Sequence, residues 1–233
     1  MKSSWLRPGI YAILDTGRLG WTTPARFERA FPTLIAYGSA AAAAGACALQ
    51  LRTKSLRPGH ELRTAAYEAL RSRVSKYLPV FVDDDVETAR FEGDWPDCGL
   101  HLGQNDMPPW EARVLLGEEA RIGWSTHNLE QVLAAAKLPV DYLGFGPVRA
   151  TTSKRKADDV TGFDALREAV AAARQPVVAI GGLQLEDMAA VRQTGARAAA
   201  VIGAWLGPQR TPFAPDEAGR ALASLRRAWE DAQ

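Results

Sequence analysis

One pattern recurs along the chain and limits what it can fold into. A short apolar run stops at glycine or at a cluster of polar groups, and a helix-length segment follows. The clearest instance is Gly99-Leu100-His101-Leu102-Gly103-Gln104-Asn105-Asp106, where an apolar strand ends in glycine and then presents an amide and a carboxylate. Ala48 to Lys54, Val80 to Asp84, Ile122 to Ser125, Tyr142 to Pro147 and Val177 to Gly182 repeat the pattern. Functional groups gathered at the C-terminal ends of buried strands are the mark of a parallel barrel, which builds its active site at that rim.

The order of elements agrees. Ile10–Asp15 reads as the first strand, followed by a glycine- and threonine-rich loop to Thr23 and a helix from Pro24 to about Ala44. The remaining strands are expected at 47–51, 80–82, 99–102, 121–124, 142–145, 177–180 and 198–202, with helical periodicity between them. Pro108-Pro109 suits the first turn of a helix, Pro139 ends one, and Gly45 and Gly195 suit C-caps. A closing helix is expected over about 216–232. Eight strand–helix units in 233 residues indicate an α/β fold, a single (β/α)8 TIM-barrel domain with its core over about residues 10–205.

Bulk properties remove several classes of function. The formal net charge of +1 gives no reason to expect nucleic acid or an anionic membrane as partner. The alanine run Ala40–Ala44 is far too short to span a bilayer, and residues 1–8 lack the apolar stretch of a signal peptide. Cys47, in an expected strand, and Cys98, leading into one, have neither metal-ligand nor disulfide-framework spacing. A cytoplasmic location and small-molecule substrates are the expectation, with an oligomer possible.

The candidate site residues follow from the strand ends. Gln50, Arg52 and Lys54 alternate, so on an extended segment they share one face. Two cations and an amide facing a barrel mouth suit a phosphate or diphosphate; a solvated strand end is the other reading. Asp83-Asp84-Asp85 ends strand three and Asp106 ends strand four. Carboxylates on neighbouring strand ends suit Mg2+, which takes one or two protein carboxylates plus waters and phosphate oxygens. Asp84 and Glu87 also have capping-box spacing, so a helix cap accounts for the acids as well. Thr151, Thr152, Ser153 and Lys154 form a polar loop able to close over phosphate oxygens or simply to stand in solvent. Gly181-Gly182 and Ile202-Gly203 offer bare backbone N–H groups where barrels often bind a phosphate. His60 reads as a surface residue and His101 as core or a support for the site. His127 stands in a strand-to-helix loop that Asn128 and Gln131 suffice to cap.

Taken in order, these stretches resemble the thiamine phosphate synthase family. The matching residues are Gln50-Leu51-Arg52-Thr53-Lys54, Asp84, His101 to Asp106, Gly123 to His127, Asp141 to Pro147, Thr151 to Lys154 and Ile180-Gly181-Gly182. The resemblance implies an enzyme that joins a hydroxymethylpyrimidine diphosphate to a thiazole phosphate and expels diphosphate. The C–O bond would break first, and the thiazole nitrogen would capture the resulting pyrimidine cation.

The resemblance assigns Mg2+ to Asp84 and Asp106, and the diphosphate to Gln50, Arg52, Lys54 and Lys154. It sets Ser125 beside the leaving group and pyrimidine, and Asp83 on the pyrimidine side. Thr151, Ser153, Gly182, Ile202 and Gly203 go to the thiazole phosphate. Three departures stand out: Asp83 where the family usually has Asn, Gly203 where serine is common, and Arg149-Ala150 for an aromatic-proline pair. The alternatives are a thiazole tautomerase using His127 and a non-catalytic sensor of thiazole phosphate.

Overall fold

A computed structural model describes residues 5–54, 59–90, 98–151 and 159–232. Eight parallel strands close into a barrel in sequence order: β1 Gly9–Asp15, β2 Ala48–Arg52, β3 Val80–Asp83, β4 Cys98–Leu102, β5 Arg121–Thr126, β6 Tyr142–Phe145, β7 Val177–Ile180 and β8 Ala198–Val201. The ring closes where β1 pairs with β8, Gly9 opposite Ala198 and Ala12 opposite Val201. This is the (β/α)8 architecture that the strand–helix alternation predicts.

Period-two alternation divides each strand between two cores. Ile10, Ala12 and Leu14 of β1, Leu49 and Leu51 of β2, and Val80 and Val82 of β3 point outward and join the helices in one continuous apolar layer. Tyr11 and Ile13, Ala48, Phe81, Tyr142, Val178, and Ala198 and Ala200 point inward and fill the barrel. Each fully buried aliphatic or aromatic side chain stabilises the fold by roughly 1.5–3 kcal/mol. The strands are buried on both faces, which is why their sequences read as apolar runs and not as alternating ones.

Phe81, Tyr142 and His101 crowd the interior because glycines make room for them. A Cβ at Gly99 would lie 2.4 Å from the Phe81 ring, and one at Gly123 would lie 2.2 Å from the Tyr142 ring and 2.5 Å from His101 Nδ1. Large residues on three strands are therefore matched by absent side chains on their neighbours.

The helices are α1 Pro24–Arg29, α2 Phe31–Ala43, α3 His60–Val74, α4 Val86–Ala89, α5 Pro109–Leu116, α6 Leu129–Ala135, α7 Gly162–Ala172, α8 Met188–Gln193, α9 Gly203–Leu206 and α10 Pro215–Glu230. The single first helix expected from the sequence is two. Pro32 lies in the first turn of α2 and has no N–H to continue the ladder, so the chain restarts at Ala30. Cys47 stands one residue before β2 and is buried. The short α9 after β8 was not expected; four residues carry too little periodicity to be read. In α10, Ala218, Leu222, Leu225 and Trp229 form one buried stripe, with proline and two acids in its first turn. Among the described residues no helix is long and apolar enough to cross a membrane.

Candidate active site

The barrel register creates the first half of the site. Asp15 is the direct neighbour of Arg52 across β1 and β2, and the two form an ion pair. Gln50, two residues earlier on the same inward face, donates its amide to Asp83 Oδ1 at 2.6 Å. Arg52 Nε lies 3.4 Å from Asp83 Oδ2, Lys54 Nζ lies 3.7 Å from it, and Lys54 also meets Asp84 Oδ2 at 2.5 Å. Burial works against the charge on Arg52 and Lys54, but the carboxylates around them outweigh it and raise both. Burial raises Asp83, with Lys54 and Arg52 opposing. Its Oδ2 accepts no hydrogen bond, so these cations reach it through charge alone.

Asp84 is held in the left-handed region, with φ of 61°. Aspartate tolerates that conformation better than most residues. Its N–H donates to His101 O at 2.8 Å, which ties the end of β3 to β4. The carboxyl group is thereby turned to that of Asp106, with which it shares a hydrogen bond, while Asp106 Oδ2 accepts from Gly103 N at 2.7 Å. Burial, the charge of Asp83 and the bond to Asp106 push Asp84 up to about 8. Two carboxyl groups this close need a proton or a cation between them. Among the described residues no cluster of three or more His, Cys, Asp or Glu side chains suited to a metal occurs. A pair of carboxylates is what Mg2+ accepts when water and phosphate oxygens complete its shell, so the donor set fits that ion.

The second half lies across the mouth, on β7 and β8. Gly181 and Gly182 have φ of 101° and 65°. A Cβ at Gly182 would lie 2.2 Å from Ala150 O, because the segment after β6 crosses over it. That segment is fixed by Val148 N to Ile180 O at 2.9 Å and Arg149 N to Gly181 O at 3.0 Å. The Arg149 guanidinium reaches Asp187 at 2.8 Å and anchors the loop by charge.

A polar chain rises through the barrel to the mouth. Tyr11 and Tyr142 share a hydrogen bond at 2.9 Å, Tyr142 meets His101 Nδ1 at 2.9 Å, and His101 Nε2 meets Ser125 Oγ at 2.9 Å. Burial raises both phenols, keeping them neutral. Ser125 is therefore held from below. His127 Nδ1 bonds Gly146 O at 2.6 Å and faces the same space.

Both halves line one cavity of about 250 Å³. Gln50, Arg52, Lys54, Asp83, Asp84 and Ser125 come to it from β2, β3 and β5. Thr151, Gly182, Ile202 and Gly203 come from the opposite side. Asp106 reaches it through Asp84. Thr152, Ser153 and Lys154 lie outside the described residues.

The family model described as thiamine monophosphate synthase matches residues 23–205. The chain belongs to the thiamine monophosphate synthase family. It is 39% identical over 168 residues to thiamine-phosphate synthase of Chlamydia caviae, covering 72% of this chain and 77% of that one. It is 36% identical over 202 residues to the Koribacter versatilis protein of the same name, covering 87% and 90%. The thiamine phosphate pyrophosphorylase structure from Pyrococcus furiosus superposes with a TM-score of 0.73 at 28% identity, covering 98% of both chains.

Within this thiamine monophosphate synthase fold, sequence reasoning passed over two residues that shape the mouth. Asp15 ends an apolar run as the other site acids do, so the same signal was there to find it. Arg18 is a lone arginine in a glycine-rich loop, and nothing in its neighbourhood marks it.

Proposed function

We propose that the chain is a thiamine-phosphate synthase, a transferase that joins 4-amino-2-methyl-5-hydroxymethylpyrimidine diphosphate to thiazole phosphate and releases diphosphate. The observation that carries this reading is the division of one cavity: paired cations and acids at β2 to β4 face bare glycine backbone at β7 and β8. One wall suits a diphosphate and the other a phosphate, and the space between suits two rings.

In the reaction, the C–O bond between the pyrimidine methylene and the diphosphate breaks, and the electron pair leaves with the diphosphate. The thiazole nitrogen then gives its lone pair to the methylene carbon, forming the C–N bond. Arg52 and Lys54, with Gln50, would hold the departing anion and absorb its growing charge. Ser125, held by His101, would stand beside the leaving oxygen and the ring. Lys154 would add a further cation, and Thr151 and Ser153 would contact the thiazole phosphate. Asp84 and Asp106 would hold Mg2+, whose charge neutralises the diphosphate when bound. No proton need leave carbon, so the scheme calls for no general base.

His127 in the same cavity supports the second reading, a thiazole tautomerase. The two part in one assay. With both substrates and Mg2+, the synthase releases diphosphate and forms thiamine phosphate, and a chelator abolishes the release. Interconversion of thiazole isomers without diphosphate release would establish the tautomerase instead. Binding of thiazole phosphate with neither reaction would leave a sensor.

A further inference from the structure

Gly203 and Arg18 occupy the same space. A Cβ at Gly203 would lie 2.7 Å from Arg18 Nη2 and 3.5 Å from Nη1. The guanidinium therefore covers the face of Gly203 from which a side chain would project, and a side chain there would have to push it aside. Arg18 is positioned from both ends. Its backbone N–H donates to Asp15 Oδ1 at 2.7 Å, and its Nε donates to Gly207 O at 2.7 Å. With Nε engaged, the terminal nitrogens are the ones turned to Gly203 and into the cavity, whose wall Arg18 shares with Gly182, Ile202 and Gly203. Among the described residues no carboxylate pairs with this guanidinium, whereas Arg52 and Lys54 across the mouth are held by Asp15, Asp83 and Asp84. A partly buried arginine with its donors turned to bare glycine backbone lacks an anion that matches its planar fork.

We propose that Arg18 binds the phosphate of the thiazole substrate, in the space that Gly203 leaves by having no side chain. The pair sets the preference of this wall for a phosphorylated over a non-phosphorylated thiazole. Asp15 then links the two walls, because one of its oxygens holds the Arg18 backbone and the other holds Arg52. The inference rests on the synthase reading above, and its test separates the two.

Steady-state kinetics with both substrates read the effect of Arg18→Ala. The Michaelis constant for thiazole phosphate rises roughly 10- to 100-fold, the range expected for a lost hydrogen bond to a charged group, and that for the pyrimidine diphosphate stays within about twofold. Against the thiazole alcohol that lacks the phosphate, Arg18→Ala and the parent chain perform alike, so discrimination collapses. Gly203→Ser supplies a second sign. In the parent chain it displaces Arg18 and weakens thiazole phosphate binding; in Arg18→Ala it restores part of the affinity through its hydroxyl. Arg18→Lys, which keeps the charge and loses the fork, falls between. If Arg18→Ala fails to fold, the lysine variant and Gly203→Ser carry the test alone. An unchanged thiazole phosphate constant, or equal losses for both substrates, overturns the role of Arg18. A parent chain that never releases diphosphate overturns the synthase reading instead.

Discussion

Gln50 donates its side-chain amide to Asp83 at 2.6 Å, and through that bond β2 and β3 present their functional ends as one unit. Asp83 also lies within ion-pair reach of Arg52 and Lys54. A carboxylate here orders the cations that a diphosphate would need and competes with it for them.

Asp83→Asn keeps an oxygen for Gln50 and removes the competing charge. The Michaelis constant for the pyrimidine diphosphate is expected to fall about tenfold, corresponding to about 1.4 kcal/mol. Kinetics at fixed thiazole phosphate measure it. A rise instead would mean that Asp83 matters more as an organiser of Arg52 and Lys54 than as a rival of the substrate.

Asp84 gives a pH dependence of unusual sign. Its carboxyl group titrates at about 8 in the folded protein, above the carboxylate range near 4 of an unfolded chain. Between those values the folded state binds more protons than the unfolded one, so its contribution to stability is full below about pH 4 and is lost as pH rises to about 8. Thermal unfolding of chelator-treated protein should show this loss from pH 5 to pH 8.5, and Asp84→Asn should flatten it. Mg2+ should raise the melting temperature most at the alkaline end, where it takes the place of the shared proton. A melting temperature indifferent to Mg2+ at pH 8 would remove the metal from Asp84 and Asp106.

Gly123→Ala drives a methyl group to 2.2 Å from the Tyr142 ring and 2.5 Å from His101. Overpacking of this kind costs about 1–3 kcal/mol, to be read as a lower urea midpoint. Because His101 holds Ser125, turnover should fall as well.

The sequence by itself determined the alternation of elements, because two-sided burial demands unbroken apolar strands and these announce their own ends. It also determined the shared face of Gln50 and Arg52, since period two is a property of the strand and needs no partner. The acids at 84 and 106 were legible because each lies just past a strand, Asp84 directly after β3 and Asp106 four residues after the end of β4. Only the tertiary structure decided what those groups meet. Whether Asp83 opposes a substrate or orders Gln50 and Arg52 depends on the register of β2 against β3. That Gly123 exists to admit Tyr142 and His101 depends on how three strands crowd one interior layer. Arg18 and Gly203 are 185 positions apart, and their contact follows from closure of the ring between β1 and β8, a long-range event that no local pattern in the chain encodes.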